Sequence, residues 1–201
     1  MVCAYYTSNE YKKMIVNLEK SLIKFSIPYT FKSYEDRGTW KKNTGIKPEF
    51  ILEMLDKHEC DIVYLDADCV VKNYPEIFDD FSDDIGVFFS PKNKEFSNKL
   101  LTGTMIFKNN EKVKNFVKKW VDVQHSSDDY TDQDSIDLII FNDNTIKFLR
   151  LPFSYVKIFD KEVNTESVIE HYQASRKYNE EKINKRNILK KIIHKIKLFF
   201  E

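Results

Sequence analysis

The chain has 201 residues, 42% of them hydrophobic and 14% aromatic, and its 32 basic and 32 acidic side chains leave a net charge of zero. That length holds one domain with a full core, and the composition excludes a disordered chain. A balanced charge excludes the global field that gathers nucleic acid, so an electrostatic partner has to be recognised locally.

The first run, MVCAYYT, is strand-like, with no signal segment ahead of it, and no apolar run approaches the ~18 residues that a membrane span needs. These features predict a cytoplasmic protein. Cys3, Cys60 and Cys69 lie in apolar surroundings and are odd in number, which predicts reduced core thiols rather than a disulfide framework.

EYKKMIVNLEKSLIKF follows, with Met14, Ile15, Leu18, Leu22 and Ile23 on a helical period, and then YTFKSYE reads as a strand. A β–α–β opening predicts a parallel strand pair. KPEFILEMLDKH is a second helix with Pro48 in its first turn. DIVYLD, IGVFFS and TGTMIFKN are strands. EKVKNFVKKWVDVQH is a helix with Val113, Phe116, Val117 and Trp120 inward; DQDSIDLIIFN is another helix, and IKFLRLP a last strand. Strands alternating with helices predict an α/β fold whose mixed sheet is parallel at its centre. The acidic run DDFSDD reads as a solvated connection.

One stretch carries the chemistry. In DIVYLDADCVV, residues 61–71, a buried strand runs into Asp66 and Asp68. Strand alternation sends both carboxylates to one face, opposite Leu65 and Ala67. Two buried carboxylates without partners are costly, but the carboxyl ends of strands in an open α/β sheet form a ligand crevice. There the pair suits a hard divalent cation such as Mg²⁺ or Mn²⁺ on a diphosphate. A D-x-D pattern is short and common, and taken alone it is better read as solvated or N-capping aspartates at a strand end.

The surrounding segments resemble the GT-A glycosyltransferases, enzymes that use nucleotide-sugar donors and carry a DxD motif. The resemblance runs from AYYTSNEY to HYQASRKY and includes the KPEFILEML helix, DIVYLDADCVV and NYPEIF. It implies a GT-A (Rossmann-like) catalytic domain over residues 1–180. LLTGTMIFKNN resembles the acceptor-side strand of these enzymes, where Gly103 admits the donor sugar to the backbone; a plain turn glycine is the alternative. TDQDSIDLII resembles the D-Q-D-x-x-N segment of glycosyltransferase family 8, with Asp137 in place of Asn. This places Asp132, Gln133 and Asp134 at the active site, although helix capping also accounts for acids here. HYQASRK is similar to the family's H-x-x-G-x-x-K, with His171, Ala174 and Lys177 on the spacing and Ala for Gly. The resemblance makes His171 the third metal ligand after Asp66 and Asp68, and sets Ser175, Arg176 and Lys177 at the diphosphate.

Thr7 ends the first strand at the edge where this fold meets a nucleoside. Arg37 and Lys47 are candidates to neutralise phosphates, and Trp40 to stack on a base or sugar; solvated cations and a core indole are the alternatives. The reading is a metal-dependent glycosyltransferase with Mn²⁺ or Mg²⁺, a nucleotide-diphosphate sugar donor (a UDP-hexose) and a glycan or lipid-linked acceptor. An inverting enzyme would take Asp132 or Asp134 as base, and a retaining one would place Gln133 by the anomeric carbon. A nucleotidyltransferase should carry a glycine-rich loop after the first strand, which YYTSNEYKK lacks; a degenerate sugar-binding module is the non-enzymatic alternative. In residues 181–201, Leu189, Ile192, Ile193, Ile196, Phe199 and Phe200 recur at steps of three and four, alongside Lys185, Lys190, Lys191, Lys195 and Lys197. This basic amphipathic helix either docks on the domain or lies on an anionic membrane, at its inner face.

Overall fold

The structure is a computed structural model that describes residues 1–90, 100–140, 142–159 and 165–172. Strand β1 (Val2–Tyr6) leads into helix α1 (Asn9–Lys24), whose first turn is capped by the Ser8 hydroxyl accepting from the Tyr11 amide. Strand β2 (Tyr29–Ser33) returns parallel to β1, in register from Val2–Tyr29 to Tyr6–Ser33. A short helix α2 (Trp40–Thr44) and helix α3 (Lys47–Lys57) follow, and then β3 (Ile62–Leu65), buried along its whole length. The later elements are β4 (Cys69–Val71), β5 (Ile85–Phe89), β6 (Leu100–Phe107), α4 (Glu111–His125), α5 (Asp132–Ile139), β7 (Phe148–Arg150), β8 (Lys157–Ile158) and β9 (Ile169–His171).

Six strands form the main sheet in the order β2-β1-β3-β6-β5-β7. All run parallel except β6, which is antiparallel to both β3 and β5. The predicted strands and helices of this sheet are all present. On one face α3, α4 and α5 bury Phe50, Ile51, Phe116 and Trp120 against Tyr64, Met105 and Phe107. On the other, α1 contributes Ile15, Leu18 and Leu22 to a cluster with Val63, Leu65 and Ile106. Burying side chains of this size stabilises by about 1.5–3 kcal/mol each, so the two faces define the fold.

A second sheet, β4-β9-β8, is not foreseen by the sequence pattern. Its strands are two or three residues long, too short for an alternation to register. Two further points differ from expectation. Ile23 points outward, 59% exposed, because the buried stripe of α1 is complete with Ile15, Leu18 and Leu22. Cys3 and Cys69 are buried free thiols as expected, but Cys60 is exposed in the connection before β3. No described helix is long and apolar enough to cross a membrane. Residues 175–177 and 181–201, and with them the predicted diphosphate contacts and amphipathic helix, lie outside the described residues.

Candidate active site

The site forms where β1 and β3 end and β6 begins, at the carboxyl edge of the parallel strands. β3 stops at Leu65. The Asp66 amide donates to the Gly103 carbonyl at 2.9 Å, and the Cys69 amide donates back to the Asp66 carbonyl at 3.1 Å. That i to i+3 bond closes a turn over Ala67 and Asp68. The expected alternation therefore ends one residue before the motif, and the turn sends the two carboxylates to different neighbours.

Asp66 faces a buried ammonium. Lys47, 3% exposed at the start of α3, lies 3.1 Å from Asp66 Oδ1 and 2.5 Å from Asp132 Oδ2. It also donates to the hydroxyl and the carbonyl of Thr102, at 3.1 and 3.2 Å, and stands 4.8 Å above the Tyr64 ring. The Thr102 hydroxyl donates to Asp132 Oδ2, and the Tyr64 hydroxyl donates to Asp66 Oδ1 at 2.8 Å. A buried cation survives only when paired and hydrogen-bonded. Burial pushes the Lys47 ammonium down, but Asp132 and Asp66 together outweigh it and hold its pKa above the ordinary lysine value. The Tyr64 phenol is pushed well up, first by burial and then by the Asp66 charge, so it stays a hydrogen-bond donor.

Asp68 faces the second sheet. β4 pairs antiparallel with β9 so that Cys69 stands opposite His171, 102 residues away in the chain. The ligand atoms of Asp68, Cys69 and His171 all lie within 4.8 Å of one another. The ring is 7% exposed, and burial holds it below the usual histidine range, so it is neutral. Its tautomer follows from its partners. The Thr104 hydroxyl is 2.8 Å from the Tyr155 carbonyl, which can only accept, so the hydroxyl proton is committed there. His171 Nε2, 3.0 Å from the same oxygen, must then carry the ring proton and donate. Nδ1 is left with its lone pair, 3.2 Å from Cys69 Sγ. Gly103 makes this packing feasible. A Cβ there would stand 2.6 Å from His171 Cε1, 2.7 Å from Nδ1 and 2.9 Å from Asp66 Oδ2. The glycine is thus required by the ring and the carboxylate of the site itself.

This geometry can be set beside known proteins. The family model for nucleotide-diphospho-sugar transferases matches residues 7–189, nearly the whole chain. The chain belongs to that family. Three solved structures share its fold at low identity. A glycosyltransferase involved in glycosylation of the major capsid of PBCV-1 is 13% identical with a TM-score of 0.67, covering 86% of this chain and 91% of its own. Mouse xyloside xylosyltransferase 1 is 12% identical with a TM-score of 0.58, covering 87% and 97%. The galactosyltransferase LgtC, solved with donor and acceptor sugar analogues, is 10% identical with a TM-score of 0.53, covering 86% and 86%. No curated protein matches in sequence. The fold is GT-A, and the chain is a glycosyltransferase of the nucleotide-diphospho-sugar transferase family.

The remaining predicted residues of the transferase divide by position. Thr7, Trp40, Lys47, Asp66, Asp68, Gly103, Asp132, Gln133 and His171 line one cleft. Trp40 is 37% exposed there, so it is neither core nor fully solvated. Arg37 is turned away to an exposed ion pair with Glu49 at 2.9 Å, and Glu49 also takes His125 at 2.6 Å. Asp134 completes a capping box: its Oδ2 accepts from the Thr131 amide at 2.9 Å and the Thr131 hydroxyl at 2.7 Å. Gln133 sits one residue earlier in the cleft wall, with its amide nitrogen 3.4 Å from the Leu100 carbonyl. Sequence reasoning passed over Tyr64, Thr102, Thr104 and Cys69. Tyr64 was within reach, since it lies on β3 two residues before Asp66; Thr104 and Cys69 acquire their roles only through β9.

Proposed function

We propose that this transferase moves a hexose from a UDP-activated donor to a glycan or lipid-linked acceptor, with Mn²⁺ or Mg²⁺ held by Asp66, Asp68 and His171. The observation that carries the reading is the delivery of a neutral, single-tautomer histidine to the turn that bears the two aspartates. A neutral imidazole and carboxylate oxygens form a donor set suited to Mn²⁺. The charge balance points the same way. Among the described residues lining the cleft, Asp36, Asp66, Asp68 and Asp132 face one ammonium, Lys47. An anionic diphosphate would meet a carboxylate surplus there unless a divalent ion accompanied it. When bound, that ion neutralises the diphosphate leaving group as the glycosidic bond breaks.

The protein's own residues supply position. Lys47 and Tyr64 fix one oxygen of Asp66 and leave Oδ2 on the His171 side. Thr7 and Trp40 at the mouth of the cleft are the nucleoside contacts in this reading, and Ser175, Arg176 and Lys177 the diphosphate contacts by sequence alone. Asp132 is engaged by Lys47 and Thr102, and Asp134 by the helix cap, so neither stands ready as the base of an inverting reaction. This favours a retaining transfer with Gln133 beside the anomeric carbon. A lipid-linked acceptor and contact of 181–201 with an anionic membrane belong to the same proposal on sequence grounds.

A thermal-shift screen of nucleotide sugars tests it. A donor at a hundred times its Kd adds about 2.7 kcal/mol of stability, which for this size raises Tm by about 5–10 °C. The rise is expected with a UDP-hexose plus Mn²⁺, not in chelator, and not in Asp68→Ala. Equal shifts in excess chelator, or full transfer by Asp68→Ala, would overturn the metal assignment.

A further inference from the structure

Cys69 sits in the proposed ion centre, although a carboxylate–imidazole set for a hard cation does not use it. Its Sγ is fully buried, 3.2 Å from His171 Nδ1, and with Asp68 it completes the cluster of donors within 4.8 Å. The register of β4 and β9 fixes this meeting, because the two residues are directly opposed. The Thr104 and Tyr155 contacts hold the ring proton on Nε2 and leave Nδ1 unprotonated, while Sγ, 3.2 Å from Nδ1 and 3.7 Å from Nε2, lies against the face of the ring.

We propose that Cys69 is a ligand for thiophilic divalent ions, so that this centre takes Zn²⁺ or Co²⁺ through Asp68, Cys69 and His171. The proposal rests on the reading that the cleft holds a divalent ion. Tetrahedral Zn²⁺ with bonds of about 2.3 Å to sulfur and about 2.0–2.1 Å to nitrogen needs the two donors about 3.6 Å apart with the ion in the ring plane, so Sγ swings from the ring face toward the Nδ1 edge as the ion enters. The thiol proton leaves to solvent as the thiolate binds, because the thiolate is the form that ligates. Soft sulfur selects Zn²⁺ over Mn²⁺ or Mg²⁺, which stay with the oxygen donors. The consequence is inhibition. Three protein ligands leave a four-coordinate ion one open position, whereas a diphosphate chelating through two oxygens needs two. Zn²⁺ therefore competes with the productive ion and holds the enzyme in a form of low activity.

The test uses the full chain with Cys60→Ser, which removes the exposed thiol. Co²⁺ titration is expected to give a near-ultraviolet sulfur-to-cobalt charge-transfer band, and Cys69→Ser in that background to lose it. Loss of a supporting group costs a metal site about 10–100-fold, so loss of this direct ligand is expected to weaken Zn²⁺ binding by about 100-fold. If Cys69→Ser does not fold, Cys69→Ala and X-ray absorption of the Zn²⁺-loaded parent decide. A sulfur neighbour at about 2.3 Å supports the proposal, and a shell of nitrogen and oxygen alone overturns it. Co²⁺ that binds by equilibrium dialysis without the band, or a band that survives Cys69→Ser, overturns the role of Cys69 and leaves the divalent-ion reading standing. Failure of Mn²⁺, Co²⁺ and Zn²⁺ all to bind, with or without UDP, overturns both.

Discussion

Replacing Lys47 by Met isolates the buried charge network. Met keeps the reach of the side chain and its contact with Tyr64, and removes the ammonium. Asp132 is then left with 5% of its side chain exposed and only the Thr102 hydroxyl beside it among the contacts described above. Asp66, with 36% of its side chain exposed, can take water instead and adds little to the penalty. Removing one partner of a buried pair costs about 3–5 kcal/mol. At about 2–4 °C per kcal/mol for a chain of this size, Tm falls by about 6–20 °C. The double variant Lys47→Met with Asp132→Asn removes the orphaned charge and keeps an acceptor for Thr102. It is expected to recover most of that loss without recovering transfer, because Asp66 still lacks the ammonium that fixes it together with Tyr64. The pH dependence follows from the raised lysine pKa. The ion-pair contribution is fully present below about pH 10.5 and is lost only as pH rises through the higher folded value. Parent and variant should therefore differ by a constant amount across the neutral range. Melting by circular dichroism and donor turnover are the two assays. A single variant melting within about 2 °C of the parent, or a double variant no more stable than the single, would refute the argument that this network holds the site.

Gly103→Ala places a methyl 2.6 Å from the His171 ring and 2.9 Å from Asp66 Oδ2, so the buried ring and the carboxylate have to shift apart. Overpacking of about 1–3 kcal/mol is then partly offset by about 0.5–1 kcal/mol from removing a strand glycine, so Tm falls by no more than about 10 °C while Mn²⁺ affinity, read by titration, collapses. Retained Mn²⁺ affinity would show that His171 and Asp66 need not approach each other. His171 is held neutral by burial, so the unfolded chain binds the extra proton. Its contribution to stability is present above about pH 6.5 and is lost as pH falls from there through the lower folded value. The metal-free parent should lose more Tm between about pH 7.5 and 5.5 than His171→Asn does, and parallel curves would sink the assignment.

The main sheet was legible because long elements repeat a period. In α4 the expected inward residues Val113, Phe116, Val117 and Trp120 are all buried, and their spacing of three and four residues leaves little choice of face. The second sheet was not, since β4 and β9 offer three residues each and owe their pairing to the tertiary arrangement. The same division runs through the site. Residue types announce chemistry: Asp66 and Asp68 after a buried strand, and Asp132 at a helix start, all draw attention as acids. Their partners do not announce themselves. Lys47 read as a candidate phosphate contact, yet it is paired with Asp132 and Asp66, because an ammonium only 3% exposed at the start of α3 needs charged partners within the protein.

Cys69 makes the point most sharply. Read from composition it is a core thiol, and it is indeed buried. What composition cannot supply is the opposing residue. An antiparallel pair matches i on one strand with j on the other, and here j is a histidine from the far end of the described chain. A one-residue slip of β9 would set Glu170 or Tyr172 against the thiol and turn the imidazole to the other face. The bonds from Tyr172 N to the Asp68 carbonyl and from Lys72 N to the Val168 carbonyl exclude that slip, at 3.1 and 2.8 Å. Two backbone bonds at the ends of a three-residue strand thus decide whether the cleft has an imidazole beside its aspartates, and hence whether it can hold an ion there.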